Sequence, residues 1–185
     1  MKDFDMVLTR NRGEEKLDLE QLCEKLSPGL SMAEIGSYAG GSATIFLKSG
    51  KVSEIVCVDM WEGDYDGNDI CSFLCPMRIV EQKFDECMRV FRDQDLKVTK
   101  LKKASVEAAA TFADGTFDLV YVDACHLYES VREDLIAWIP KVKRGGFISG
   151  HDFGCALFPG VKKAVLEIVG KPQFLFVGGS WMKQI

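Results

Sequence analysis

The sequence predicts a doubly wound α/β fold whose mostly parallel sheet ends in an antiparallel hairpin, and three observations carry this. Short runs rich in β-branched residues alternate with segments of helical period, as parallel strands covered on both faces require. Three of the five runs end on or close to a carboxylate, at Asp59, Asp123 and Asp152. The tail has two short runs, 173–177 and 180–184, on either side of Gly178-Gly179, the pattern of a hairpin with a tight glycine turn.

The five strand-like runs are 32–35, 54–58, 96–101, 117–122 and 146–149. Between and around them the helical period appears over 14–26, 42–48, 77–92, 105–112, 128–139 and 161–169, with Pro140 and Gly145-Gly146 closing the fifth helix. The span 61–76 breaks the rhythm: Gly63, Gly67, Asp64, Asp66 and Asp69 precede a small apolar patch. It follows the second strand at the carboxyl edge, where α/β sheets bind ligands. We read 61–93 as a substrate-covering insertion, the alternative being an ordinary surface excursion.

With 185 residues, 47% hydrophobic and 28% charged, the chain has the size and composition of one domain spanning 1–185. A net charge of -5 and the lack of a basic run exclude a phosphate backbone as partner. The start, Met1-Lys2-Asp3-Phe4-Asp5, lacks the apolar core of a signal peptide, and no apolar run is long enough to span a bilayer, so no membrane partner is expected and the reading is cytoplasmic. The seven Cys lack paired CxxC spacing, so we read them as reduced packing residues. A homo-oligomer is compatible with the composition.

The first strand runs into Glu34-Ile35-Gly36-Ser37-Tyr38-Ala39-Gly40-Gly41-Ser42, where a helix begins. Such glycines let the backbone approach a ligand, and helix-start amides suit a carboxylate. The spacing Gly-x-x-x-Gly departs from GxGxxG, which disfavours a nicotinamide-dependent oxidoreductase. Asp59 stands 19 positions after Gly40 at the end of the second strand, where an acid can accept both hydroxyls of a ribose. Asp123 and Asp152 end the neighbouring fourth and fifth strands. Two converging carboxylates repel unless a cation lies between them, and oxygen ligands suit Mg²⁺ or another divalent ion. The alternative for each acid is helix capping or loop bracing.

Here the sequence resembles a known family. The stretch Glu34 to Ser42 is similar to the first motif of catechol O-methyltransferase and its relatives, including Tyr38 and Ser42. The runs Asp118-Leu119-Val120-Tyr121-Val122-Asp123-Ala124-Cys125-His126 and Gly145-Gly146-Phe147-Ile148-Ser149-Gly150-His151-Asp152-Phe153 resemble small bacterial O-methyltransferases, a family that includes macrolide-sugar methyltransferases and cephalosporin hydroxylase-like proteins.

The resemblance implies a class I, Rossmann-like methyltransferase fold and S-adenosylmethionine as cofactor. It implies Glu34, Gly36, Ser37, Tyr38, Gly40 and Ser42 around the methionine part, Asp59 on the ribose, Met60 and Trp61 along the adenine, Ala104 and Ser105 at its edge, and Asp123 closing the pocket. Trp61 also reads as a core aromatic.

The same resemblance implies His151 as a third metal ligand beside Asp123 and Asp152. It also implies His126, three positions beyond Asp123, as the base that works with Asp123 in catalysis. Each His has a structural alternative. Catechol-type relatives place Asn where this chain has Phe153. Glu129, Arg132 and Asp134 read as a solvated helix face.

The expectation is an S-adenosylmethionine-dependent, metal-assisted O-methyltransferase acting on a small hydroxylated molecule such as a sugar or polyketide. A non-catalytic S-adenosylmethionine-binding module is the alternative.

Overall fold

A computed structural model describes residues 14–62, 75–94 and 96–185. In chain order the elements are α1 (Glu14–Glu24), β1 (Leu30–Ile35), α2 (Gly41–Lys48), β2 (Val52–Asp59), α3 (Met77–Arg92), β3 (Lys97–Lys102), α4 (Ser105–Ala109), β4 (Phe117–Val122), α5 (Tyr128–Trp138), β5 (Val142–Gly150), α6 (Pro159–Ile168), β6 (Phe174–Leu175) and β7 (Trp181–Gln184). They build one seven-stranded sheet in the order β3-β2-β1-β4-β5-β7-β6. β1 to β5 run parallel, and β7 pairs antiparallel with both β5 and β6. The expected doubly wound sheet with a terminal hairpin is the fold observed.

Period-two alternation in the central strands divides the core between the two faces of the sheet. Met32, Ile55 and Leu119 share a row across β1, β2 and β4 and pack with Leu22, Phe46, Phe84 and Met88 of α1, α2 and α3. Their neighbours Ala33, Val56 and Val120 face the opposite side, where Leu135, Trp138 and Val165 of α5 and α6 cover them. Burial on both faces is what makes these strands read as continuous apolar runs.

Most boundaries shift by one to four residues, and three of the differences have a local cause. α4 stops at Ala109, and Phe112 beyond it packs its ring on Phe117 at 5.0 Å. α6 opens at Pro159, whose missing amide suits a first turn. Gly145 and Gly146 lie inside β5, not at the end of a helix: the β4–β5 register shifts between Phe117 and Leu119, and a Cβ at Gly146 would stand 2.7 Å from the Asp118 carbonyl oxygen. The pair therefore serves a bulge.

Of the span 61–93, residues 63–74, with Cys71, lie outside the described residues. Trp61 is buried, and α3 is the crossover helix from β2 to β3, with Val80, Phe84, Met88 and Phe91 in the core. Among the described residues no helix is long and apolar enough to cross a membrane.

Candidate active site

The carboxyl ends of β1, β2, β4 and β5 border a cavity of about 490 Å³. The turn after β1 begins it. Gly36 has φ +91°, and a Cβ there would fall 2.0 Å from the Asp123 carbonyl oxygen. Only glycine lets the two strand ends pass this closely. Gly36, Ser37, Tyr38 and Ser42 all line the cavity. α2 starts with neither a side-chain cap nor an acid in its first turn, so its positive end meets the cavity at Gly41 and Ser42.

Asp59 is the latch of this edge. Its Oδ2 accepts the Tyr38 amide N–H at 2.8 Å and its Oδ1 accepts the Trp61 amide at 2.7 Å. Tyr38 and Trp61 both adopt the left-handed region, at φ 44° and 47°, which L residues occupy at a cost. One carboxylate thus holds two strained turns at the wall of the cavity it lines. Burial raises its pKa against the pull of these amides. Asp59→Ala strands both amides, so a loss of about 2–6 kcal/mol is expected even without ligand, from one to three per buried unmet group. Urea unfolding measures it, and a loss below about 1 kcal/mol would show that the latch is not needed.

Asp123 follows β4 directly and Asp152 lies two residues beyond β5. One ligand atom each from Asp123, His126 and Asp152 fall within 4.8 Å of one another. His126 Nε2 is 3.1 Å from Asp152 Oδ2 and 3.9 Å from Asp123 Oδ1, and its ring stacks on Phe158 at 4.0 Å. Burial alone would depress the His126 pKa, but the two carboxylates beside its ring outweigh this and raise it to about 10.

His151 instead flanks the cluster. Its Nδ1 lies 3.2 Å from Asp152 Oδ2, and its Nε2 lies 4.0 Å from Asp18 Oδ2. The same balance raises its pKa to about 9, while the two imidazoles hold Asp152 well below the usual carboxylate range despite its burial. Asp152 itself has φ 58°.

Met60, Ala104, Ser105, Asp123, His126 and His151 line the cavity as expected. Four expected residues do not. Glu34 lies beneath the turn, fully buried. Gly40 packs on α3, where an added Cβ would meet Met88 and Phe84 at 3.1 and 3.2 Å. Asp152 is not part of the cavity wall and contacts it through His126 and His151, at 3.1 and 3.2 Å. Trp61 is a core aromatic: its indole N–H donates to the Tyr38 carbonyl at 2.8 Å and its ring packs on Phe84 at 4.9 Å, with the Lys100 ammonium 4.8 Å from its centroid.

Two acids escaped the sequence reading. Asp18 of α1 is fully buried, accepting the Gly178 amide at 2.8 Å and the Ser180 amide at 3.2 Å, and so ties α1 to the hairpin turn. Asp134, read as solvated, is 5% exposed and lines the cavity. Both lie on buried helical stripes, with Leu22 four residues after Asp18 and Trp138 four after Asp134. That spacing is the signal that could have found them.

Comparison with known proteins adds three findings. A family model described as "Methyltransferase domain" matches residues 33–153. An uncharacterised protein of Sinorhizobium fredii is 25% identical over 126 residues, 65% of this chain but 13% of its own length. An uncharacterised protein of Acanthamoeba polyphaga mimivirus is 23% identical over 151 residues, covering 75% and 61% respectively. The chain thus spans less than two thirds of the length of either relative.

Among solved structures, the O-methyltransferase NovP superposes with a TM-score of 0.63 at 20% identity, over 92% of this chain and 79% of that one. The calicheamicin methyltransferase CalS11 gives 0.65 at 18%, over 92% and 78%. A cofactor-bound structure of Rv0187 from MTB gives 0.63 at 15%, over 94% and 80%. At such identities the likeness concerns the fold.

Proposed function

This chain belongs to the methyltransferase-domain family, and from that premise we propose that it transfers a methyl group from S-adenosylmethionine to a hydroxyl of a small molecule, with a divalent cation assisting. One observation carries the reading. A single cavity is lined by the start of an uncapped helix, by the strand-end acid Asp59 and by Asp123 and His126 of the Asp123–His126–Asp152 cluster.

These residues fit the cofactor. The positive end of α2 suits its carboxylate, Asp59 would offer acceptors for two ribose hydroxyls, and Ala104 and Ser105 line the end where the base would lie. When bound, S-adenosylmethionine supplies an electrophilic methyl on a positively charged sulfonium.

The cluster fits a cation as well. Asp123 and Asp152 offer hard oxygens and His126 one nitrogen, a donor set suited to a divalent ion with positions left for substrate. Such an ion would lower the pKa of a hydroxyl bound to it. His126 would serve as a ligand, or as the base, only once its proton has left. The carboxylates that hold the proton would be the same groups that a cation neutralises. The remaining task of the chain is to place the acceptor oxygen in line with the methyl group, for which the fixed strand ends suffice.

Thermal unfolding tests cofactor binding. S-adenosylmethionine at about 100 times its Kd should stabilise the native state by about 2.7 kcal/mol. For a chain of this size that is a rise of about 5–10 °C in Tm, which NAD should not reproduce. Transfer of labelled methyl to a panel of sugars and phenolic or polyketide alcohols, with and without chelator, tests the chemistry. No shift with S-adenosylmethionine would refute the reading. A shift without transfer to any acceptor would leave a binding module.

A further inference from the structure

The cavity has a second end. Beyond Asp59, away from the acid and histidine cluster, its wall is formed by the residues after β3 and by α5, and the charged side chains there are Lys103, Glu107, Glu133 and Asp134. Three of these are exposed, whereas Asp134 is 5% exposed. It sits on the stripe of α5 that carries Val131, Leu135 and Trp138, where an apolar side chain would avoid the cost of burying a carboxyl.

What holds Asp134 is a two-step relay. The Trp138 indole N–H donates to Ser105 Oγ at 2.9 Å, and the Ser105 hydroxyl hydrogen-bonds Asp134. An indole nitrogen only donates, so Ser105 accepts from Trp138 and directs its own proton to the carboxyl. One neutral hydroxyl does not offset the burial, which raises the Asp134 pKa to about 6. A carboxyl oriented this way keeps lone pairs for a donor in the cavity.

We propose that Asp134, oriented by Ser105 and Trp138, selects the base of the bound nucleoside by accepting a hydrogen bond from an exocyclic amino group, so that an amino-purine is taken and an oxo-purine refused. This inference rests on the crevice being an S-adenosylmethionine site. Ala104 and Ser105, expected at the edge of the base, lie at this same end. A 6-oxo group would point an acceptor at an acceptor, losing the bond and adding repulsion. Sites built to hydrogen-bond a ligand group refuse the analogue that cannot pair, here by roughly 10- to 100-fold.

Calorimetric titration of the whole chain with S-adenosylhomocysteine and with S-inosylhomocysteine tests it. The unmodified chain should prefer the adenosyl compound by roughly 10- to 100-fold, and Asp134→Asn, whose amide can turn its NH₂ toward a carbonyl, should bring the ratio within about threefold. A wild-type ratio retained in Asp134→Asn overturns this inference and leaves the cofactor site standing. Equal binding of the two compounds by the unmodified chain overturns it too. Binding of neither overturns the site reading and this inference together. Should Asp134→Asn not fold, Ser105→Ala decides by the same ratio, which must narrow if the relay orients the carboxyl and refutes the inference if it does not.

Discussion

Gly36→Ala is expected to cost more than about 4 kcal/mol, enough to leave much of the chain unfolded when native stability is of order 5–15 kcal/mol. The new Cβ would lie 2.0 Å from the Asp123 carbonyl oxygen, 2.6 Å from its carbon and 2.7 Å from the Ala124 Cα. All three are backbone atoms, so no side-chain rotation relieves the clash. β1 and β4 must part at their ends, straining the Asp123 amide bond to the Ile35 carbonyl at 2.8 Å and the Gly36 amide bond to the Val58 carbonyl at 2.8 Å.

Gly50→Ala is the internal control. It has φ +69° with nothing within 4 Å of an added Cβ, so only the backbone cost of about 1–2 kcal/mol applies. Urea unfolding of both variants reads the difference, and equal losses would show that close approach is not why position 36 is glycine.

Glu34→Gln is expected to stabilise the protein at pH 8 by about 3 kcal/mol while changing little at pH 4. Glu34 is fully buried, and neither carboxyl oxygen makes a hydrogen bond of ordinary geometry among the described residues. Desolvation raises its pKa from 4.5 to about 7, overcoming the pull of the Ser37 and Ser42 hydroxyls. The folded state therefore holds a proton that the unfolded chain releases near pH 4.5. Relative stability is fullest below that value and is lost as pH rises to about 7, above which the folded protein carries a buried charge. Gln cannot ionise and escapes the loss. Denaturant unfolding at pH 4, 6 and 8 follows the two curves, and a separation that does not change with pH would refute the argument. That the chain keeps this acid buried just before the turn after β1, at a cost to stability, fits a place where function sets the residue.

The contrast between Trp61 and Asp59 shows where reading a sequence stops. Both were expected at the cofactor, and both stand at the end of β2. The acid faces the cavity, whereas the left-handed backbone at Trp61 turns the indole into the core against Phe84. Position and spacing pointed to Asp59, whereas Trp61 was implied by the family resemblance and read equally well as a core aromatic. Only the dihedral separates them. The two histidines divide likewise: Asp152 at φ 58° meets both, but only His126 joins it and Asp123 within one ion's reach.

The alternation of strands and helices, the terminal hairpin, the glycine turn and the acids at three strand ends were all written in local order, because period and turn chemistry act over a few neighbouring residues. Apart from the meeting of Asp123 and Asp152 at neighbouring strand ends, convergence was not. Asp18 bonding to Gly178 and Ser180, Asp134 turned inward against Ser105, and Gly40 pressed on α3 join segments distant in the chain. Their roles follow from burial and backbone dihedrals, which packing imposes once the sheet has closed.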